Sequence, residues 1–345
     1  MLVMTTRYDR QERVKVIGVA GQAKISAATI LIAGAGALGS YAAEQLVRAG
    51  VGHLVLVDPD VVSTTNLQRQ TLFTEADVAA GTLKVVAAKA HLLAINHAVT
   101  IDAIPGPLTA DLLLHTRFDL LLDCLDNYQA RDLINKAALK RDFDYIFASC
   151  AGTFGSVMPI SPRRHACLSC VYPNLDDLKQ TDCDLIGVNT ALVPLVSALQ
   201  VSLALHYLVD KPTVDFDHLT TIDNWQLDQQ KFKVRKSVTC PVCHHTDWDL
   251  TEPAAPQAVS VLCGTQTYSA AITTPNLTTV IDWLVDRHVS VRQFKAFITF
   301  DWQDATISIF QNGKVLLYGL PDLPTATRLF TGLRQVLPLQ EVSAS

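Results

Sequence analysis

Three sets of side chains in this sequence are spaced for chemistry on phosphate. Gly34, Gly36 and Gly39 recur in TILIAGAGALG, where an apolar run passes through a turn into a helical segment. Gly34 permits the bend, Gly36 lets the main chain approach a phosphate, and Gly39 lets the helix pack closely on the strand. The helix N-terminus then offers unpaired N–H groups to an anion. Asp58 follows nineteen residues after Gly39, where a carboxylate can accept from ribose hydroxyls. To this point a dinucleotide and ATP fit equally well. The next block, DPDVVSTTNLQRQTLF, adds Asn66, Arg69 and Gln70, and Lys84 comes shortly after. Two cations flanked by amides suit a triphosphate better than a dinucleotide, Arg as a fixed fork and Lys as a mobile point charge. In LLLDCLDN, Asp123 and Asp126 close an apolar run. A carboxylate there suits Mg²⁺, which is held by one or two carboxylates plus substrate phosphates.

A second set concerns metal. Cys167 and Cys170 form one CxxC pair, Cys240 and Cys243 another. Four thiolates in paired short loops suit tetrahedral Zn²⁺ in a closed, structural site that clamps two distant segments. Two independent redox pairs are the alternative. Of the other cysteines, Cys183 lies in QTDCDLIG between two acids, which should raise its thiol pKa. Cys124 and Cys150 are expected beside strands in the core, and Cys263 in the packing of the C-terminal region.

These residues need a frame. Apolar strands are expected at Thr29–Ala33, Leu54–Asp58, Val99–Ile104, Phe118–Asp123 and Tyr145–Ser149. Helices are expected at Ala37–Ala49, Thr82–Ile95 and Tyr128–Lys140. That alternation implies a Rossmann-like, doubly wound parallel sheet, with ligands at the carboxyl ends of its strands. A polar loop over Val171–Gly187 and a buried helix over Ala191–Val209 come next, then antiparallel strands at Pro212–Phe216, Leu219–Trp225 and Gln230–Val234. The proline-bearing Thr251–Ala258 reads as a linker, and residues 259–345 as a small α+β domain of ββαβββα order. That domain has a turn at Asn312–Gly313 and a last helix near Thr325–Val336.

At 345 residues and 49% apolar, with 18% charged, the chain can bury a large core. A formal charge of −5 and the lack of a long basic run argue against nucleic acid. The polar N-terminus does not read as a secretory signal, and the longest apolar stretch is broken by Pro194, Gln200 and His206. A cytoplasmic protein without a membrane partner is expected.

RYDRQ (Arg7–Gln11), GAGALG, Asp58 with NLQRQ, Lys84, DCLDN and the two CxxC pairs occur in the order that resembles the MoeB/ThiF/HesA adenylyltransferases, relatives of the ubiquitin-activating enzymes. The resemblance covers roughly residues 7 to 245, within a domain of residues 1–250. It implies that ATP and the C-terminal glycine of a ubiquitin-like sulfur carrier ending in Gly-Gly react to an acyl-adenylate and pyrophosphate. The carrier would be MoaD- or ThiS-type, serving molybdopterin or thiamine synthesis, with a cysteine desulfurase or other sulfur donor acting next. On this resemblance Asn66, Arg69 and Lys84 contact phosphates, Asp126 holds Mg²⁺, and Arg10 enters the active site of a partner subunit, which implies a homodimer. Cys183 falls where some relatives carry a sulfur-transfer cysteine. The C-terminal extension, found in Gram-positive members, is expected to dock a partner or stabilise a dimer. An NAD-dependent oxidoreductase would leave Arg69, Lys84, Asp126 and the cysteines idle. A non-catalytic zinc scaffold would leave the phosphate positions unexplained. An enzyme activating another C-terminal carboxylate stays in the same reaction class.

Overall fold

The computed structural model describes residues 7–175, 187–250, 259–262, 267–272, 275–294, 297–311 and 313–338. The chain divides into two compact units, Met1–Glu75 with Lys84–Leu250, and Ala76–Leu83 with Thr251–Ser345. Cys183, Cys263, Asn312 and the expected linker lie outside the described residues.

In the first unit, β1 (Thr29–Ala33), β2 (His53–Val57), β3 (Thr100–Ile104), β4 (Leu120–Asp123) and β5 (Tyr145–Ala151) are parallel. They continue antiparallel into β6 (Phe154–Ile160), β7 (His218–Asp223) and β8 (Asp228–Lys233). The order is β3-β2-β1-β4-β5-β6-β7-β8, so the strand order reverses between β1 and β4. The inner strands β1, β2 and β4 are buried and apolar on both faces, as a sheet covered on both sides requires, while the edge strand β3 exposes Thr100 and Asp102. Leu31, Val55 and Leu121 face Leu113 of α6 (Ala110–His115) and Ile134 and Ala138 of α7 (Tyr128–Arg141). The other side is covered by α3 (Ala37–Ala49) and α9 (Leu192–Asp210), which pack on each other.

α9 is long and apolar enough to cross a membrane by length and composition alone. It is nevertheless built for a core. Its buried Gln200 donates to the Asp123 and Ile146 carbonyls at 3.0 and 2.9 Å and accepts from Cys124 Sγ, tying the helix to two central strands. Helix ends follow local chemistry. Asn127 caps α7 by accepting from Ala130 N–H at 2.8 Å, and Gly50 ends α3 at φ +84°.

Two expectations in the antiparallel half fail. Pro212–Phe216 is no strand: Lys211–Thr213 forms a 3₁₀ turn, with Pro212 in its first positions where a missing N–H costs nothing. β6 was not anticipated, because FGSVMPI carries a glycine and a proline. Its pairing with β7 stops at Val157, so Pro159 sits where β6 has a neighbour on one side only.

The second unit is an antiparallel sheet of β9 (Ser260–Leu262), β10 (Thr267–Ala271), β11 (Val291–Gln293), β12 (Phe297–Trp302), β13 (Ala305–Phe310) and β14 (Lys314–Tyr318), in the order β11-β12-β13-β14-β10-β9. Helices α10 (Leu277–Val285) and α11 (Leu323–Val336) carry Val280, Leu284, Phe330 and Leu333 into its core. The order ββαββββα adds one strand to the expectation, the three-residue β11, too short to leave a pattern in the sequence.

Candidate active site

The glycine turn follows β1 and the Asp126 turn follows β4, so the two flank the point where strand order reverses. Open parallel sheets offer their ligand crevice there. Gly34, at φ +94°, donates its N–H to Val57 O at 2.9 Å, and a Cβ on it would lie 2.8 Å from the Cys124 carbonyl oxygen. A Cβ on Gly39 would collide with the Gly34 carbonyl, so close packing of α3 on the turn requires glycine there. Gly36, which starts α3, differs: a Cβ there would meet only Gln70 Nε2, at 3.7 Å. The face of Gly36 is therefore open.

Asp58 lies just beyond β2, buried. Its Oδ2 accepts from Ala35 N–H and its Oδ1 from Asp60 N–H, each at 2.8 Å. It thus braces the glycine turn and keeps one lone pair on each oxygen for a further donor. Burial raises its pKa, with Lys84 opposing and Asp60 adding to the shift. Lys84 opens α5 (Lys84–Ile95), buried, with Nζ 3.1 Å from Asp60 Oδ2. Burial alone would lower its pKa, but the Asp58 and Asp60 carboxylates, helped by Asp126, hold it above the ordinary lysine value. The site therefore contains a permanently charged ammonium in a poorly hydrated place, strong for phosphate binding.

The NLQRQ stretch begins at the end of a 3₁₀ turn, Thr64–Asn66, in which Asn66 Oδ1 accepts from Ser63 N–H. Arg69 is partly exposed and donates to Thr65 O at 2.8 Å. Gln70 is buried beside Gly36, and its Oε1 has no hydrogen-bond partner. A buried amide oxygen without a donor is costly, and a donor from a bound ligand would satisfy it. Asp126 is exposed, and its charge acts on Lys84, Asp123 and Arg131. A cavity of about 650 Å³ lies elsewhere, lined by Lys24, Asp119, Asp144, Tyr207 and Lys211 near the amino ends of β1, β4 and β5. Its charged groups are already engaged, Lys211 with Asp144 at 2.8 Å, Lys24 with Val209 O and Asp119 with Thr29 N–H, so volume does not mark the site.

Arg10 is not brought to this place. Helix α1 (Asp9–Glu12) is anchored at the far end of α3: the Tyr8 ring fills the space beside Gly50, and Gln11 donates to Ala49 O at 3.0 Å. The thirteen residues of α3 span about 20 Å. Arg10 is exposed there and pairs with no acid among the described residues.

Cys167, Cys170, Cys240 and Cys243 converge, with Sγ···Sγ distances of 3.8 Å (Cys167–Cys170), 3.7 Å (Cys167–Cys240) and 3.8 Å (Cys170–Cys243). A tetrahedron with Zn–S bonds of about 2.3 Å has S···S edges of about 3.8 Å. The donor set fits Zn²⁺, and two disulfides at about 2.05 Å would not fit these spacings.

Sequence reasoning passed over Asp60, which holds Lys84, and Arg131. Burial of Arg131 was the harder to foresee. A cation near the start of a helix opposes the macrodipole, which is the one sequence signal it leaves.

The chain matches the ThiF family over residues 8–242. It is similar to the sulfur carrier protein ThiS adenylyltransferase of Bacillus subtilis (strain 168), 31% identical over 334 residues, spanning 95% of this chain and 98% of that protein. The sulfur carrier protein ThiS adenylyltransferase of Escherichia coli (strain K12) is 33% identical and spans 70% of this chain and 96% of its own length. Among solved structures, E. coli MccB with MccA-N7isoAsn superposes with a TM-score of 0.61 at 21% identity, over 70% of this chain and 75% of that one. At that identity the likeness speaks for the fold alone. A family match that takes in the glycine turn, Lys84, Asp126 and the first cysteine pair, with one relative aligned almost end to end, leaves one conclusion: the chain belongs to the ThiF family.

Proposed function

We propose that this protein adenylylates the C-terminal carboxylate of a ubiquitin-like sulfur carrier with ATP, and that the carrier is ThiS-type. The observation that carries the reaction class is Lys84, a buried ammonium held 3.1 Å from Asp60 Oδ2, with the carboxylates of Asp58, Asp60 and Asp126 favouring its charged form. The near end-to-end likeness to a ThiS adenylyltransferase supports the choice of carrier.

In this reading the carrier carboxylate attacks the α-phosphate and pyrophosphate leaves, so the chain must align reactants and neutralise charge, with no protein nucleophile required. The open face at Gly36 admits the phosphates, Asp58 accepts from ribose hydroxyls, Gln70 Oε1 takes a donor from the nucleotide, and Asn66, Arg69 and Lys84 contact phosphate oxygens. Asp126 holds Mg²⁺, which when bound neutralises the polyphosphate. Arg10, too far from its own site, is supplied by a second copy, making the enzyme a homodimer. The four cysteines hold Zn²⁺ as a clamp with no open position. The catalytic parts thus belong to residues 1–250, and residues 259–345 form a separate domain.

The test is to incubate the purified protein with ATP, Mg²⁺ and either a ThiS-type or a MoaD-type carrier, then weigh the carrier. An AMP adduct on the ThiS-type carrier supports the proposal in full. An adduct only on the MoaD-type carrier overturns the choice of carrier, and none on either overturns the reaction.

A further inference from the structure

Arg131 sits on the second turn of α7, 2% exposed, although nothing at the reaction centre touches it. Its guanidinium lies between the rings of Tyr128 and Phe147, at 5.0 and 4.9 Å from their centroids. Nη2 donates to Ala148 O at 2.9 Å and also to Leu125 O. Nε faces Asp123 Oδ2 at 3.5 Å, too far for a hydrogen bond, and both atoms are buried with no other partner. Asp123 uses its other oxygen to accept the Leu125 N–H at 3.1 Å.

These contacts converge on one residue. Leu125, the residue before Asp126, has its N–H held by Asp123 and its carbonyl held by Arg131. Asn127, the residue after Asp126, is fixed as the cap of α7. The backbone carrying Asp126 is therefore pinned on both sides while its carboxylate stays exposed. A buried ion pair is seldom retained for stability, because desolvating two charges offsets most of their attraction. An apolar residue would fill the slot between two aromatic rings at lower cost, but it could not grip a carbonyl.

We infer that Arg131, backed by Asp123, is a positioning residue for the Asp126 carboxylate, setting the Leu125–Asn127 turn so that Asp126 meets a divalent cation on the nucleotide phosphates. This rests on the reading of Asp126 as the magnesium ligand. Groups that orient a metal ligand from behind are worth about 10–100-fold in metal affinity.

The experiment uses the full chain with a non-hydrolysable ATP analogue and Mn²⁺ as the probe, counting unbound Mn²⁺ by its EPR signal. Arg131→Lys keeps the charge and loses the fork. It should weaken Mn²⁺ binding at least about 10-fold, as Asp126→Asn does, while affinity for the metal-free analogue is unchanged. Combining the two should weaken binding no further than the stronger single change, since both act through one carboxylate. Should Arg131→Lys fail to fold, Asp123→Asn replaces it, with the same direction expected. Additive losses, or wild-type Mn²⁺ affinity in the Arg131 and Asp123 variants while Asp126→Asn is impaired, would overturn the positioning role alone. Wild-type affinity in Asp126→Asn would instead overturn the parent reading, and this one with it.

Discussion

The two units bury different things. Among the described residues of the second unit, the buried polar side chains are Thr299 and Ser308. Thr299 Oγ1 donates to Ile307 O at 3.0 Å, and Ser308 donates to Thr299 at 3.2 Å, so both are satisfied locally. The first unit buries Asp58 just after β2, Asp123 at the end of β4, and Lys84 and Arg131 on helices α5 and α7, and leaves Gln70 Oε1, Asp123 Oδ2 and Arg131 Nε without hydrogen bonds. Selection for stability alone produces the first pattern, because an unpaired buried polar atom costs about 1–3 kcal/mol. Of these atoms, Gln70 Oε1 belongs to the amide beside the open face of Gly36, where a ligand donor would satisfy it, while Asp123 Oδ2 and Arg131 Nε face each other in the interior. The contrast assigns chemistry to one unit and packing to the other.

The largest change expected is at the cysteines. Cys240→Ser should lower the bound zinc from one per chain and forfeit metal-binding free energy on the order of 10 kcal/mol, read by metal analysis and by denaturant unfolding. A variant that keeps both its zinc and its stability would break the clamp assignment. Next, Phe330→Ala should destabilise the second unit by about 3–5 kcal/mol and leave ATP-analogue binding by the first unit intact. Lost nucleotide binding at a temperature where the second unit stays folded would blur the division. Arg69→Ala should cut carrier adenylation by about 10²–10³-fold with little change in unfolding midpoint, since among the described residues Arg69 holds only the Thr65 carbonyl. A large stability loss without an activity loss would move Arg69 to the packing side of the comparison.

The smallest effect concerns pH. Burial, partly opposed by Arg131, pushes the Asp123 pKa up to about 6, against an unfolded value of about 3.9. The folded state then holds the proton more tightly. The stability linked to this group is fully present below about pH 4 and is lost as pH rises through about 6. From pH 7 to pH 4.5, wild type should gain about 1–3 kcal/mol relative to Asp123→Asn in urea unfolding. Parallel profiles for the two proteins would show that Asp123 is ionised as readily folded as unfolded.

The parallel half of the first unit was legible because β1, β2 and β4 are apolar runs closed by a glycine or an acid, and helical segments separate the strands. The antiparallel half was less so. Two of its strands, β7 and β8, were anticipated within two residues, but β6 hides behind its glycine and proline and the Pro212–Phe216 strand does not form. In the site, the residues with open or charged roles, Gly36, Lys84 and Asp126, stand out in the sequence by type. Asp60 and Arg131 act through neighbours that only the fold supplies: Asp60 meets Lys84 across 24 positions, and Arg131 reaches Ala148 across 17. The distance between Arg10 and its own glycine turn is likewise a property of the fold.

Carrier-dependent exchange of labelled pyrophosphate into ATP tests the central claim most directly, since it reports formation and reversal of the acyl-adenylate at the site built on Lys84. The account predicts exchange only when a carrier ending in Gly-Gly is present, none when its terminal carboxylate is blocked, and a loss of about 10²-fold or more in Arg69→Ala. Exchange without any carrier, or undiminished exchange with the blocked one, would contradict it.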